Sequence, residues 1–418
     1  MKKVLSLLLA IISAGLISCT DHPAPSVSTT ILSTTPNSTS VTSTTSTSLK
    51  HPDSQKPIES WDGKTTERFE GGSGSATDPY RISNASQLAH LSKTVNSGTT
   101  YANKHFILTN DINLNKKEWT PIGNGNHSFQ GVLDGNNHSI RNLNISTIVR
   151  WTNTSSNSSW GIAGLFGSCE DASLSNFKID NATISVSPSQ IDYVAVGALI
   201  GRVTSNKQLQ INNVRLKQVT ISIEKSNAVI YEGGCIGYLQ VLQNSWCNLD
   251  TVQCESILSS KGEYTNYLGG ISGYVYSKGT IDMHDYVCYT DVKWPYNVAE
   301  NYSGAFGAIS SKGGSIELQN AFSVITVNHE LSHSNKASYE ANAMIGVTYQ
   351  SKDSSGSFKC KNLYGCVKNT QSSPTNSLYY IPINLVESNC VARASLPINH
   401  NLSSEIWNLS SKTHPVLK

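Results

Sequence analysis

Ala163-Gly164-Leu165-Phe166-Gly167, Gly197-Ala198-Leu199-Ile200-Gly201, Gly233-Gly234-Cys235-Ile236-Gly237, Gly269-Gly270-Ile271-Ser272-Gly273, Ser303-Gly304-Ala305-Phe306-Gly307 and Asn342-Ala343-Met344-Ile345-Gly346 align on their final glycines. Those glycines step by 34, 36, 36, 34 and 39 residues, a period that belongs to repeat architectures. The second column is always Gly or Ala, and the third (Leu165, Leu199, Cys235, Ile271, Ala305, Met344) is always apolar. A small column beside an apolar one implies two faces. One lies where the backbone turns or another strand comes close, and the other points into a core.

Each segment leads into an alternating run centred on Asn or Asp: Asn176, Asn213, Asp250, Asp285, Asn320 and Asn362. Two residues earlier stand Leu174, Ile211, Asn248, Met283, Leu318 and Cys360, apolar in five of six cases. Period-two alternation with β-branched and aromatic residues reads as strand. Later pairs such as Ile184/Val186, Val219/Ile221 and Ile325/Val327 suggest a further strand per repeat. Short strands at constant period, with no helical pattern between them, predict an all-β solenoid, a parallel β-helix whose coils stack in register. Stacked Asn amides at a turn account for the Asn/Asp column without catalysis. A β-propeller is the alternative, although its blades need more strands than these repeats supply. The period leaves open whether each repeat is one long turn or a turn plus a large loop.

Residues 61–145 form a different block ahead of the repeats at 146–400. Ser83 or Asn84 is placed to cap a short amphipathic helix with Leu88, Leu91 and Val95 on one face. A helix over the first coil protects an edge that would otherwise pair with other chains. The block carries Asp78-Pro79-Tyr80-Arg81-Ile82, Asp111-Ile112-Asn113-Leu114, Trp119-Thr120-Pro121-Ile122-Gly123 and Phe129-Gln130-Gly131-Val132-Leu133-Asp134-Gly135. Followed by glycine-rich repeats, it resembles surface proteins with GLUG-type repeats, which are common in Bacteroides-like bacteria and accompany large immunoglobulin A peptidases. The likeness covers roughly residues 61–418, including a C-terminal tail or cap at 401–418 with Trp407 and His414 to Lys418. It implies a right-handed β-helix at the cell surface, often linked to adhesion, and no particular ligand.

The N-terminus reads as an export signal: basic Met1-Lys2-Lys3, then an apolar stretch from Val4 to Leu16 too short to be a good membrane-spanning helix. Leu16-Ile17-Ser18-Cys19 resembles the lipobox of bacterial lipoproteins, which implies removal of residues 1–18, acylation of Cys19, and a lipid-anchored place in the bacterial envelope, outer membrane included. Residues 19–60 are dominated by Ser, Thr and Pro and read as a disordered, fairly extended tether. The net charge of +2, with 14% charged residues and no basic run, argues against nucleic acid as a partner. The eight cysteines after Cys19 match no metal-ligand spacing; disulfides or a buried Cys column would account for them.

Catalytic motifs are sparse. His329-Glu330-Leu331-Ser332-His333 matches the zinc-binding H-E-x-x-H pattern, which needs a helix to bring both imidazoles to one face. Here it continues the strand-like run Phe322 to Val327, which places His329 and Glu330 on opposite sides and favours a solvated loop. Asp134-Gly135-Asn136-Asn137 lacks the spacing of a calcium loop and reads as a tight turn. The better lead is aromatic: Trp151, Trp160, Tyr193, Tyr231, Tyr264, Tyr267, Tyr302 and Tyr339 precede the glycine segments, in expected loops suited to recognising a host or microbial glycan or a protein. The reading is a surface-anchored β-helix that binds without catalysis, metal or cofactor. The alternatives are a carbohydrate-active enzyme and a zinc protease through His329, Glu330 and His333.

Overall fold

The computed structural model describes residues 60–262, 265–293, 300–328, 340–342, 344–350, 357–369, 391–392, 407–408 and 416–417. Cys19, the tether, Tyr264, Tyr339 and the His329–His333 motif lie outside them. Among the described residues the strands form sheets of 13, seven and six strands and a two-stranded hairpin of Trp407–Asn408 with Val416–Leu417. Pairing between successive repeats is parallel throughout, so the chain is a β-solenoid and not a propeller.

Each repeat is one coil of three strands, which answers the question the period left open. In the second repeat these are Tyr193–Gly197, Ile200–Ser205 and Gln208–Ser226, one in each sheet. The apolar pairs assigned to a further strand belong to the third one: Ile184 and Val186 continue the Ser173–Val186 strand beyond left-handed bends at Asn176 and Asn181.

The Gly/Ala-apolar bend joins the first strand to the second. Leu165, Leu199, Cys235, Ile271, Ala305 and Met344 are all buried there. Their backbones also stack: the Leu199 N–H donates to the Cys235 carbonyl at 3.0 Å, and Ile271 donates to Ala305 at 2.8 Å. Ile200 pairs with Phe166 and Ile236, and Arg202 with Ser168 and Tyr238, so Gly167, Gly201 and Gly237 lie in one row. The same register carries the row through Gly273 and Gly307 to Gly346. A Cβ on Gly237 would sit 2.4 Å from the Val196 nitrogen and 2.6 Å from the Gly201 carbonyl oxygen, so the glycine is a steric requirement.

The Asn/Asp column is a row of corners held at positive φ: Asn176 (59°), Asn213 (51°), Thr251 (55°), Asp285 (55°), Asn320 (55°) and Asn362 (53°). Asp250 is therefore corrected to Thr251. Asn212 pairs with Asp250, and Asp250 with His284, which leaves Thr251 between Asn213 and Asp285. The correction repairs the core column too, because Leu249 replaces Asn248 and the row Leu174, Ile211, Leu249, Met283, Leu318, Cys360 becomes apolar in every coil. Cys169, Cys235, Cys247, Cys254 and Cys288 are free and buried, and Cys360 is buried too, so they pack as small apolar residues.

The N-terminal block caps this stack. Tyr80–Ile82 pairs with His105–Leu108, which pairs with Val132–Asp134, which pairs with the first long strand. Between the first two strands runs the helix Ala85–Asn96, with Leu88, Leu91 and Val95 fully buried. Asn84 is its N-cap, accepting the Gln87 N–H at 3.0 Å, and Gln87 Oε1 accepts the Ser83 N–H at 2.7 Å. Trp119 is buried and donates its indole N–H to the Leu165 carbonyl at 3.0 Å, joining cap to first bend. At the outer border of the seven-stranded sheet, Val149–Asn153 turns back to pair antiparallel with Ser158–Ala163.

Candidate functional site

Trp151, Trp160, Tyr193, Tyr231, Tyr267 and Tyr302 lie in strands, not in loops. Large aromatic residues suit a pleated surface, which accounts for their place in strands where loops were expected. Trp160, Ile162, Ala195 and Tyr231 pack outside the main core, with Trp151, Tyr193, Tyr238, Tyr267 and Tyr274 against them. Trp151 pairs with Trp160, Trp160 with Tyr193, and Tyr231 with Tyr267. Tyr302 falls out of this set: it pairs with Leu268, whereas Tyr267 pairs with Asn301.

The rings form a ladder along the solenoid axis. Trp160 and Tyr193 have centroids 4.8 Å apart at 23°, Tyr193 and Tyr231 6.2 Å at 4°, and Tyr231 and Tyr267 5.7 Å at 16°. A second column, Tyr238 over Tyr274 at 5.7 Å and 11°, rises from the six-stranded sheet across the glycine bend. Tyr238 meets Trp160 at 5.4 Å and Tyr231 at 5.1 Å, and Tyr274 meets Tyr267 at 5.1 Å. The two outer sheet faces thus close on each other over the glycine row. Because stacked rings turn their faces to one another, the strip offers ring edges outward, with Trp160 and Tyr231 buried and Tyr193, Tyr238, Tyr267 and Tyr274 half-buried.

Arg202 sits at one end of the second column. Its guanidinium carbon lies 5.1, 5.6 and 6.0 Å from the rings of Trp151, Trp160 and Tyr238, and it donates to Gln240 Oε1 at 3.0 Å. Burial lowers the pKa of this guanidinium, opposed by Tyr238 and Glu170. Burial raises the phenol pKa values of Tyr231 and Tyr238, so both hydroxyls stay protonated at neutral pH. Arg202, Tyr238 and Tyr274 escaped the sequence reading, although each directly follows a repeat glycine.

Two other groups of titratable side chains matter chemically. His284 Nδ1 lies 3.3 Å from Asp250 Oδ1 and 3.0 Å from Asp285 Oδ2 at the corner row. Its pKa is raised, chiefly by the hydrogen bond to Asp285 and also by Asp250 and Asp282. Asp250, His284 and Asp285 could offer ligand atoms to a cation, and His284 Nδ1 here hydrogen-bonds Asp285. Glu232 is fully buried inside the coil, where its Oε1 accepts the Ser259 N–H at 3.0 Å, and desolvation pushes its pKa up to about 8. In the Asp134–Asn137 turn, Asp134 Oδ1 accepts the Asn136 N–H at 2.8 Å and the Asn176 amide at 3.1 Å, so this oxygen serves the chain itself.

No family model matches the chain. A protein of Evansella cellulosilytica, assigned provisionally as a Gly-rich membrane protein, is 27% identical over 155 residues, covering 36% of this chain and 16% of that relative. The chain thus spans well under a fifth of that relative's length. A crystal structure from Bacteroides ovatus, assigned provisionally as an immunoglobulin A1 protease, has a TM-score of 0.48 and 19% identity, over 84% of this chain and 95% of that one. A likeness at this level bears on neither activity nor ligand.

Proposed function

We propose that the chain is a GLUG-like cell-surface lipoprotein, anchored in the bacterial outer membrane through Cys19, that recognises a glycan or protein ligand without catalysis. The observation that carries the reading is the aromatic strip. Trp151, Trp160, Tyr193, Tyr231, Tyr267, Tyr238 and Tyr274 follow one outer edge over consecutive coils, held on strands that cannot readjust. Pre-ordered amphipathic rings with half-buried edges are economical contacts for an extended partner. The export signal and the Ser/Thr-rich segment support display at a distance from the membrane.

The test screens the chain against a glycan array and host-matrix proteins, with the Tyr238→Ala/Tyr274→Ala double variant beside it. A ligand held by the native protein and weakened at least about tenfold in the variant, with the circular dichroism unchanged, supports the strip as the contact. Equal binding by both proteins removes it, and turnover of a polysaccharide by the native chain defeats the non-catalytic reading. Cys19→Ala should move the protein from the membrane fraction to the soluble one; continued membrane retention would dispose of the anchor.

A further inference from the structure

A notch of ≈ 240 Å³ opens on the outer face of the long sheet, lined by Asn137, Asn176, Phe177, Lys178, Asn213 and Arg215. Lys178 and Arg215 are register partners, so two cationic side chains rise side by side from neighbouring strands whose backbones are about 4.8 Å apart. Like charges directly opposite in a ladder destabilise it. Among the described residues neither forms an ion pair, and the nearby Asp180 lies 3.9 Å from Arg141. Burial alone lowers the pKa of the Arg215 guanidinium, without a compensating carboxylate. The rest of the wall is the amides of Asn137, Asn176 and Asn213, with the buried Phe177 beneath them. Asn176 and Asn213 are fixed at positive φ, and Asn213 Nδ2 donates to Asn176 Oδ1 at 2.9 Å.

We propose that this notch is a subsite for an acidic polysaccharide, binding a uronate carboxylate or a sulfate ester. The paired cations would hold the oxyanion, with the guanidinium able to grip it at two points. The flanking Asn amides suit the hydroxyls of the same sugar. Amide walls around the cations favour a hydroxyl-rich chain over a lipid surface, which would call for exposed apolar groups beside them. The subsite does not rest on the aromatic strip and would stand if the strip bound nothing.

The experiment compares the native chain with Lys178→Gln/Arg215→Gln, with exposed Lys207→Gln as the control. Dextran sulfate, polygalacturonate, neutral dextran and phosphatidylglycerol vesicles serve as probes. The expected result is binding of dextran sulfate or polygalacturonate, but not neutral dextran, weakened at least about tenfold in the double variant and unchanged in Lys207→Gln. A melting temperature raised by sodium sulfate over sodium chloride at equal ionic strength, in the native chain more than in the double variant, reports the same site without a polymer. Equal polyanion binding and equal sulfate shifts in native and double-variant protein would overturn the proposal. Binding confined to the vesicles would overturn the glycan assignment. The Tyr238→Ala/Tyr274→Ala variant should bind the polyanions normally, which separates failure of the strip from failure of the notch.

Discussion

Asn213 donates its side-chain amide to Oδ1 of Asn176 at 2.9 Å, and both residues occupy left-handed backbone in adjacent coils. The relay begins at Asp134, which accepts from Asn176, and meets Thr251 in the following coil. Threonine is β-branched and sits at φ 55°, where such residues are strained, and its hydroxyl donates to Asp250 at 2.7 Å. Thr251→Asn should therefore stabilise the protein by about 1 kcal/mol, by relieving the strain and extending the amide row. Denaturant unfolding measures this; a variant less stable than the parent contradicts the account.

Gly237→Ala should cost ~3 kcal/mol, because the new methyl meets backbone atoms that cannot rotate away. Gly63→Ala is the matched control. Gly63 has φ 94° but nothing within 4 Å, so only the backbone term of roughly 1–2 kcal/mol applies. Thermal melts of the two variants should separate them clearly.

Glu232 links stability to pH. Its folded pKa of about 8 exceeds the model-peptide value of 4.5, so between these pH values the folded chain keeps a proton that the unfolded chain has released. Stability then declines as pH rises through that window and levels off above it. Glu232→Gln keeps an acceptor for the Ser259 N–H and should flatten this part of the profile, as followed by urea unfolding from about pH 5 to about pH 9. An unchanged slope would show that the carboxyl is not held neutral.

Arg202→Ala should destabilise by ~2 kcal/mol and red-shift tryptophan emission, since the guanidinium covers Trp151 and Trp160. Arg202→Lys keeps the charge but loses the flat contact, and should recover only part of the difference. Full recovery by lysine would make the interaction one of charge alone.

The coil was readable because its demands on residue type are steep. A Cβ is excluded at Gly237, and the bend positions from Leu165 to Met344 must be apolar, so both columns survive as visible periods. The third corner was hidden because the reading followed Asn and Asp side chains, while the backbone there bends at Thr251. The aromatic strip was half legible: Trp160, Tyr193, Tyr231 and Tyr267 stand out along the chain. Their contacts with Arg202, Tyr238 and Tyr274 depend on the angle between two sheets, which a repeat period does not encode. Glu232 shares a register row with Val196 and Leu268, and its interior place follows from alternation once the strand is known.

The reversed strand Val149–Asn153 has a consequence for the behaviour of many copies together. A stack of like-directed strands is a natural template for fibre growth, since each free border invites another copy to dock in the same sense. Here the terminal strand runs the opposite way and carries Arg150 exposed on it. A second molecule arriving with its own coils would meet a reversed, charged strand at that border, which disfavours like-directed stacking through this sheet.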